Sequence, residues 1–301
     1  VAQQPIDTAS TQLAVDFAKG HGTENDFVLI PDPDGRLTLT EADVRLLCDR
    51  HAGIGGDGVI RVVRRSAETD EQTGVPDVQD AEWFMDYRNA DGSVAQMCGN
   101  GVRVFARYLQ RLGFVDSADL PVITRSGVKL VSFGVDGRIT VDMGPAEDLG
   151  TSAATVRAFD SKAEYAGRAV SMGNPHLACD LSGEPAAVAG LDLSRAPSYD
   201  ASFFPEGVNL EFFEQVPGAS ETDAHVRMRV YERGVGETRS CGTGICAVAY
   251  ATLANAGKTE GTVIVDVPGG RLLTAVSPAT VLLTGPAEIV AEGSTVLLRG
   301  R

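Results

Sequence analysis

Gln96-Met97-Cys98-Gly99-Asn100-Gly101-Val102-Arg103-Val104-Phe105-Ala106-Arg107-Tyr108-Leu109 has a counterpart far along the chain, Arg239-Ser240-Cys241-Gly242-Thr243-Gly244-Ile245-Cys246-Ala247-Val248-Ala249-Tyr250. In both, a cysteine and a Gly-x-Gly turn lead into an apolar run without proline or further glycine for at least eight residues. Each run reads as a helix that starts at its cysteine, so the chain reads as two similar halves, each presenting one thiol at a helix start. The second helix is apolar almost all round and should be wrapped by other structure. That points to sheets curled around helices rather than to a helix lying on an open sheet.

A third internal match supports duplication. Gly285-Pro286-Ala287-Glu288 repeats Gly144-Pro145-Ala146-Glu147 at a separation of 141 residues, close to the 143 that separate Cys98 from Cys241. Nearly constant register in a fixed order indicates two copies of one plan. The expected fold is α+β: two homologous domains, each a barrel-like mixed or antiparallel sheet wrapped around a central helix. The boundaries are placed at 1–145 for the first domain, completed by a returning strand within 288–301, and at 146–287 for the second.

The first turn of a helix carries backbone N–H groups without intrahelical partners and a positive dipole end. A cysteine there is expected to have a lowered pKa, and the glycines to let a ligand carboxylate approach the N–H groups. Two such ends facing each other make an anion site flanked by two sulfurs. This suits inversion at a carbon bearing hydrogen, where one thiolate removes a proton on one face and one thiol delivers a proton on the other. Each cysteine taken alone is read just as well as a small packed hydrophobe; the repeated context separates Cys98 and Cys241 from Cys48, Cys179 and Cys246, which sit in ordinary apolar surroundings.

Composition limits the alternatives. The 301 residues carry a formal charge of −15, which argues against a nucleic-acid partner, and no apolar run approaches the roughly 20 residues of a membrane span. Five irregularly spaced cysteines do not form a disulfide framework and fit a reducing, cytoplasmic setting. No metal-ligand spacing is present, and the two-thiol reading requires neither metal nor organic cofactor. The glycine run Gly53-Ile54-Gly55-Gly56-Asp57-Gly58 lacks the register of a nucleotide-binding loop.

Along the chain, strands are expected at 13–19, 27–30, 59–63, 83–88, 121–125, 128–135, 138–143, 168–172, 226–231, 263–267, 270–276 and 280–284, with another entered near Asn209. Thr40 begins a short helix to Cys48. Ser66 to Asp80 reads as a solvated acidic loop and Pro185 to Leu193 as a short helix.

The chain resembles the diaminopimelate epimerase family from Asp16 to Leu298. The resemblance is carried by Gly20-His21-Gly22-Thr23-Glu24-Asn25-Asp26-Phe27, Asn89-Ala90-Asp91-Gly92-Ser93, Met97-Cys98-Gly99-Asn100-Gly101, Gly173-Asn174-Pro175-His176, Gly207-Val208-Asn209, Glu232-Arg233-Gly234-Val235-Gly236-Glu237-Thr238 and Cys241-Gly242-Thr243-Gly244. It implies cofactor-independent interconversion of LL- and meso-diaminopimelate, on the route to lysine and cell-wall precursors. It also implies an active site between two barrel-like domains, with Cys98 as base toward the LL-isomer and Cys241 as acid. Gly99, Asn100, Gly242 and Thr243 resemble the donors around the reacting carboxylate, and Asn89, Asn174, Asn209 and Arg233 the set that reads the distal centre. Asn25 and Glu232 are implied near the reacting amine, and His176 and Glu232 as support for the thiols. Some members of the family have glutamine where this chain has Gly58. The partner expected is a small zwitterionic molecule, with a homodimer as the expected assembly. The alternatives are a related two-cysteine racemase of the proline-racemase kind and a non-catalytic amino-acid binding protein.

Overall fold

The fold is that of a computed structural model and is described for residues 14–74, 81–158, 161–183, 188–218 and 222–298. The first half contains β1 (Val15–Gly22), β2 (Asn25–Pro31), α1 (Glu41–Cys48), β3 (Gly58–Arg64), a one-turn α2 (Asp70–Thr73), β4 (Trp83–Asn89), α3 (Gly99–Arg111), β5 (Asp119–Thr124), β6 (Gly127–Phe133) and β7 (Ile139–Asp142). The second contains β8 (Glu147–Ala158), β9 (Ser161–Ser171), β10 (Pro175–Asp180), the two-residue β11 (Leu191–Asp192) and β12 (Ser198–Tyr199), β13 (Asn209–Gln215), β14 (Ala224–Glu232), β15 (Gly236–Thr238), α4 (Gly242–Asn255), β16 (Gly261–Val267), β17 (Gly270–Val276) and β18 (Val281–Gly285). The last strand, β19 (Glu288–Thr295), pairs with β1.

The architecture is two-domain α+β with mixed sheets, and the duplication is visible in the strand ladder. In the first half the neighbours run β19, β1, β2, β3, β4, β5, β6, β7; in the second, β8, β9, β10, β13, β14, β16, β17, β18. Both follow one sequence of pairings: antiparallel, antiparallel, parallel, antiparallel, parallel, antiparallel, antiparallel. A parallel pair needs a crossover, and each active helix supplies one: α3 links β4 to β5, and α4 links β14 to β16. Strands β7 and β18 occupy equivalent places and pair antiparallel, with Val141 opposite Leu283, so the halves join along one seam.

The Gly-Pro-Ala-Glu repeats mark the two exchanges of chain between halves. Gly144–Glu147 leads from β7 into β8, and Gly285–Glu288 leads from β18 into β19, back beside β1. Helix α3 touches all eight strands of its half, and α4 touches at least seven of its eight. This explains the composition of α4, whose residues from Ile245 to Ala249 are fully buried. In α3, Arg107 and Arg111 near the C-terminal end reach solvent, and the N-terminal residues are buried.

Two expectations change. The first part of the 66–80 segment is docked rather than solvated: Glu68 is buried and pairs with Arg61, which also meets Asp32 at 3.0 Å and Asp86 at 3.0 Å. A buried guanidinium requires such partners, and the segment supplies one; residues 75–80 lie outside the described residues. The helix expected over Pro185 to Leu193 is absent among the described residues, where Leu191 and Asp192 instead pair with β8. Leu191 and Leu193 are both buried with Asp192 between them facing outward, a period of two that defeats a helix. Residues 185–187 of that stretch lie outside the described residues.

Candidate active site

Cys98 and Cys241 occupy equivalent places, each the N-cap residue of its helix in extended conformation. The two helix starts abut. A side chain at Gly242 would bring its Cβ to 3.2 Å from Gly99 Cα and 3.3 Å from Asn100 N, so these glycines let the helix ends approach one another. Leu283 and Met143 pack directly beneath them.

Asn100 is completely buried and ties the halves together. Its Nδ2 donates to Ser240 O (3.1 Å), Ser240 Oγ (3.2 Å) and Asn25 Oδ1 (3.2 Å), and its Oδ1 accepts from Arg103 Nη2 (2.9 Å). Asn25 Oδ1 also accepts the Cys98 thiol proton at 3.5 Å, and Asn25 Nδ2 donates to Asp57 Oδ2 at 2.8 Å. Asn25 is therefore occupied by protein groups at both ends. On the other side, Ser240 Oγ meets Thr23 Oγ1 at 2.7 Å, and Arg239 pairs with Glu24. Thr23 and Glu24 form the β1–β2 turn at φ 52° and 61°, a left-handed conformation strained for such residues and held by these contacts.

The second thiol is served by a different chain of groups. Cys241 Sγ lies 3.5 Å from Thr243 Oγ1, which accepts from Asn174 Nδ2 at 3.5 Å; Asn174 Oδ1 faces His176 Nε2 at 3.1 Å. His176 Nδ1 meets Glu211 Oε1 at 2.7 Å, and both residues are fully buried. Both imidazole nitrogens thus face side-chain oxygens, and among the described residues His176 makes no hydrogen bond to either sulfur. Glu211 presses against α4: a Cβ at Gly244 would lie 2.6 Å from its Oε1. Its Oε2 is buried without a hydrogen-bond partner.

The expected lowering of the thiol pKa does not occur. Burial pushes Cys98 up to about 11, with Glu232 adding to the rise and the Gly101 and Asn100 N–H groups and Arg103 opposing it. Burial, then Glu232 and Glu211, drive Cys241 well above the ordinary thiol value against the pull of Thr243 and the Gly244 N–H. The helix-end dipole is present but is outweighed by desolvation. Glu232, at the end of β14, is itself raised by burial, while the hydrogen bond from Thr238 pulls it down.

Arg233 extends into solvent, held by Nη1 to Glu206 O (2.9 Å), and among the described residues it has no acidic partner. Asn209 fixes its backbone, accepting from Arg233 N at 3.0 Å and donating to Pro175 O at 3.1 Å. Asn89 is engaged locally with Ser93 Oγ at 3.0 Å.

Four contributors were not singled out from sequence. Ser240 and Thr23 give no signal beyond lying within the quoted motifs. Arg103 and Glu211 do: each is a charged residue inside an apolar run, Val102 to Phe105 and Leu210 to Phe213, where burial is expected and a charge is not.

Comparison with known proteins decides the family. The diaminopimelate epimerase family model matches residues 17–149 and 168–290. The diaminopimelate epimerase of Thermobifida fusca is 52% identical over 282 residues, 93% of this chain and 98% of that one. That of Streptomyces coelicolor is 51% identical over 300 residues, covering 94% and 96%. The chain belongs to the diaminopimelate epimerase family. The same fold recurs in a hydroxyproline epimerase from Agrobacterium vitis at 14% identity and TM-score 0.62, covering 94% of this chain and 91% of that one. Within this diaminopimelate epimerase family member, Gly58 leaves no space for the glutamine found in some relatives. A Cβ there would lie 2.5 Å from Arg88 O and 2.6 Å from the Tyr87 ring.

Proposed function

We propose that this chain interconverts LL- and meso-diaminopimelate without an organic cofactor, with Cys98 and Cys241 as the proton-exchanging pair. The observation that carries this is the abutment of two helix starts, each capped by a thiol, in a chain of this family. The α-carboxylate is held by the free N–H groups at the two helix ends, where negative charge also develops as the α-proton leaves. Toward the LL-isomer, the Cys98 thiolate takes the α-proton on one face while the Cys241 thiol gives its proton to the carbon on the other. The reverse reaction exchanges these roles.

Both thiols are neutral in the free protein at neutral pH, so a proton must leave one of them before or during ligand binding. Glu232, whose carboxylate faces Cys241, raises that thiol, and the Glu211–His176–Asn174–Thr243 chain orients the groups beside it. Asn89, Asn174, Asn209 and Arg233 form the distal recognition set, in which Asn209 places the Arg233 backbone and the guanidinium receives the second carboxylate in a bidentate pair. The acid-free Arg233 favours a dicarboxylic substrate over proline, which has no second carboxylate.

This reading places the site between domains 1–145 with 288–301 and 146–287, each a curled, barrel-like sheet around its helix. The contact of α3 with all eight strands of its half supports that enclosure.

The test is incubation with LL-diaminopimelate in deuterated water. Deuterium should enter one α-carbon as the isomers approach equilibrium, and both Cys98→Ala and Cys241→Ala should abolish isomerisation. Isomerisation that survives either substitution overturns the two-thiol reaction.

A further inference from the structure

The duplicated helices are alike in backbone and unlike in charge. Counting from the capping cysteine, Arg103 stands fifth after Cys98, and the residue fifth after Cys241 is Cys246. Arg103 is fully buried. Its guanidinium donates only to uncharged acceptors: Asn100 Oδ1 at 2.9 Å, Pro286 O at 3.3 Å and Gly99 O at 3.4 Å. Among the described residues it has no ion pair. Space for it is kept by Gly22, where a Cβ would lie 3.1 Å from Nη2.

A buried guanidinium without a counter-ion is costly, and the ordinary remedy is a carboxylate. Arg61 in the same half has that remedy three times over, with Asp32, Glu68 and Asp86. Arg103 has none; the groups facing it that could become anions are the thiols of Cys98 and Cys246, and of these only Cys98 caps a helix at the site.

We propose that Arg103 is a positioning residue of the epimerase reaction: its uncompensated charge beneath α3 selects Cys98, rather than Cys241, as the thiol that ionises, and its bond to Asn100 orients the Asn100–Asn25 pair against that thiol. This rests on the two-thiol reading given above.

The surroundings of the two sulfurs agree. Cys98 faces Arg103 of its own helix, Glu232 of β14 and Tyr87 of β4, whose phenol burial pushes far up. Cys241 faces two carboxylates, Glu232 of β14 and Glu211 of β13, with no cation of its own helix to offset them. Among the described residues Arg103 faces the thiols of Cys98 and Cys246, and burial lowers it without removing its charge at neutral pH; Cys246 of α4 also faces Lys129 of β6. Because Arg103 occupies Asn100 Oδ1, the Asn100 amide must turn its Nδ2 toward Asn25 Oδ1, which accepts the Cys98 S–H; that acceptor fixes the direction of the sulfur and favours its protonated form, so the pull toward ionisation comes from the guanidinium charge alone. The proton released on ionisation passes to solvent.

The experiment follows alkylation of each thiol by iodoacetamide against pH, resolved by peptide mass spectrometry, in the full chain and its Arg103→Met and Arg103→Lys variants. The midpoint of each curve reports ionisation of the folded thiol where circular dichroism shows the chain still folded at that pH. In the unsubstituted chain Cys98 should ionise below Cys241. Arg103→Met should raise the Cys98 midpoint by about one pH unit, leave that of Cys241 in place, and carry the acid limb of kcat/KM upward with it. Arg103→Lys, which keeps the charge, should restore most of the shift. Equal movement of both thiols, or no movement, overturns the proposal. Should Arg103→Met not fold, the order in the unsubstituted chain decides: Cys98 first supports it, Cys241 first overturns it. Activity surviving in Cys98→Ala or Cys241→Ala would instead sink the two-thiol reading itself, an outcome distinct from loss of activity in both with an unmoved Cys98 midpoint.

Discussion

Asn100, two residues after one capping cysteine, donates its side-chain amide to the carbonyl of Ser240, the residue before the other, at 3.1 Å. This bond lies at the abutting helix ends, in a buried setting where water cannot replace it. Removing it leaves the Ser240 carbonyl, the Arg103 guanidinium and Asn25 without one partner each. Asn100→Ala should cost about 2–4 kcal/mol of stability and lower kcat/KM by about 100-fold, because misplaced helix ends no longer converge on one carboxylate. Chemical denaturation and initial rates of isomerisation check the two parts separately.

Alkaline pH should destabilise the fold through its thiols. Burial raises Cys48 and Cys98 to about 11 and Cys179 and Cys246 to about 12. A group whose folded pKa lies above its unfolded value stabilises fully below the unfolded pKa and loses that contribution as pH rises toward the folded one. Above about pH 9 the unfolded chain releases thiol protons that the folded chain keeps, so stability falls by about 1.4 kcal/mol per buried thiol per pH unit. The Tm should decline from about pH 9 to 11, and Cys246→Ala should make that decline shallower. A flat Tm over this interval would contradict the thiol burial.

The β1–β2 turn is held against the β16–β17 turn. A Cβ at Gly269 would sit 1.8 Å from Thr23 O, a contact with backbone that no side-chain rotation relieves. Gly269→Ala should therefore displace the Thr23–Glu24 turn, loosen the Thr23–Ser240 hydrogen bond and lower both Tm and kcat. The control is Gly257→Ala, where nothing lies within 4 Å of the new Cβ and only the positive φ of 73° is penalised, at about 1 kcal/mol.

Glu211 and His176 form a buried pair whose loss should be felt at the second thiol. Glu211→Ala leaves the imidazole without its Nδ1 partner and opens space under Gly244, at a cost of about 3–5 kcal/mol. Glu211 also opposes ionisation of Cys241, so the alkylation midpoint of that thiol should move down in Glu211→Gln, with Cys98 less affected. Unchanged Cys241 titration would remove Glu211 from the account.

Much of the fold was legible because local signals agreed. The Gly-x-Gly turns, the capping Thr40 and most of the period-two strands bound their elements to within a few residues, and the uniform apolarity of α4 announced its enclosure, whereas β8 was not expected and β9 begins seven residues before the strand expected at 168–172. Where one signal was overridden, the reason was long range. The acidic 66–74 stretch looks solvated until Arg61 is placed beneath Glu68, and Leu191 to Leu193 fall in strand period only because β8 lies beside them.

The chain's residues alone determined the duplication, the two thiols and the helix starts that carry them, since these are statements about order and spacing. Tertiary structure alone decided that the helix ends abut, that Arg103 is buried without an acid while carboxylates gather under α4, and that the thiols are raised rather than lowered. A pKa depends on how much water is removed and which charges remain nearby. Those quantities belong to groups as distant in sequence as Cys98 and Glu232, which only the folded chain brings together.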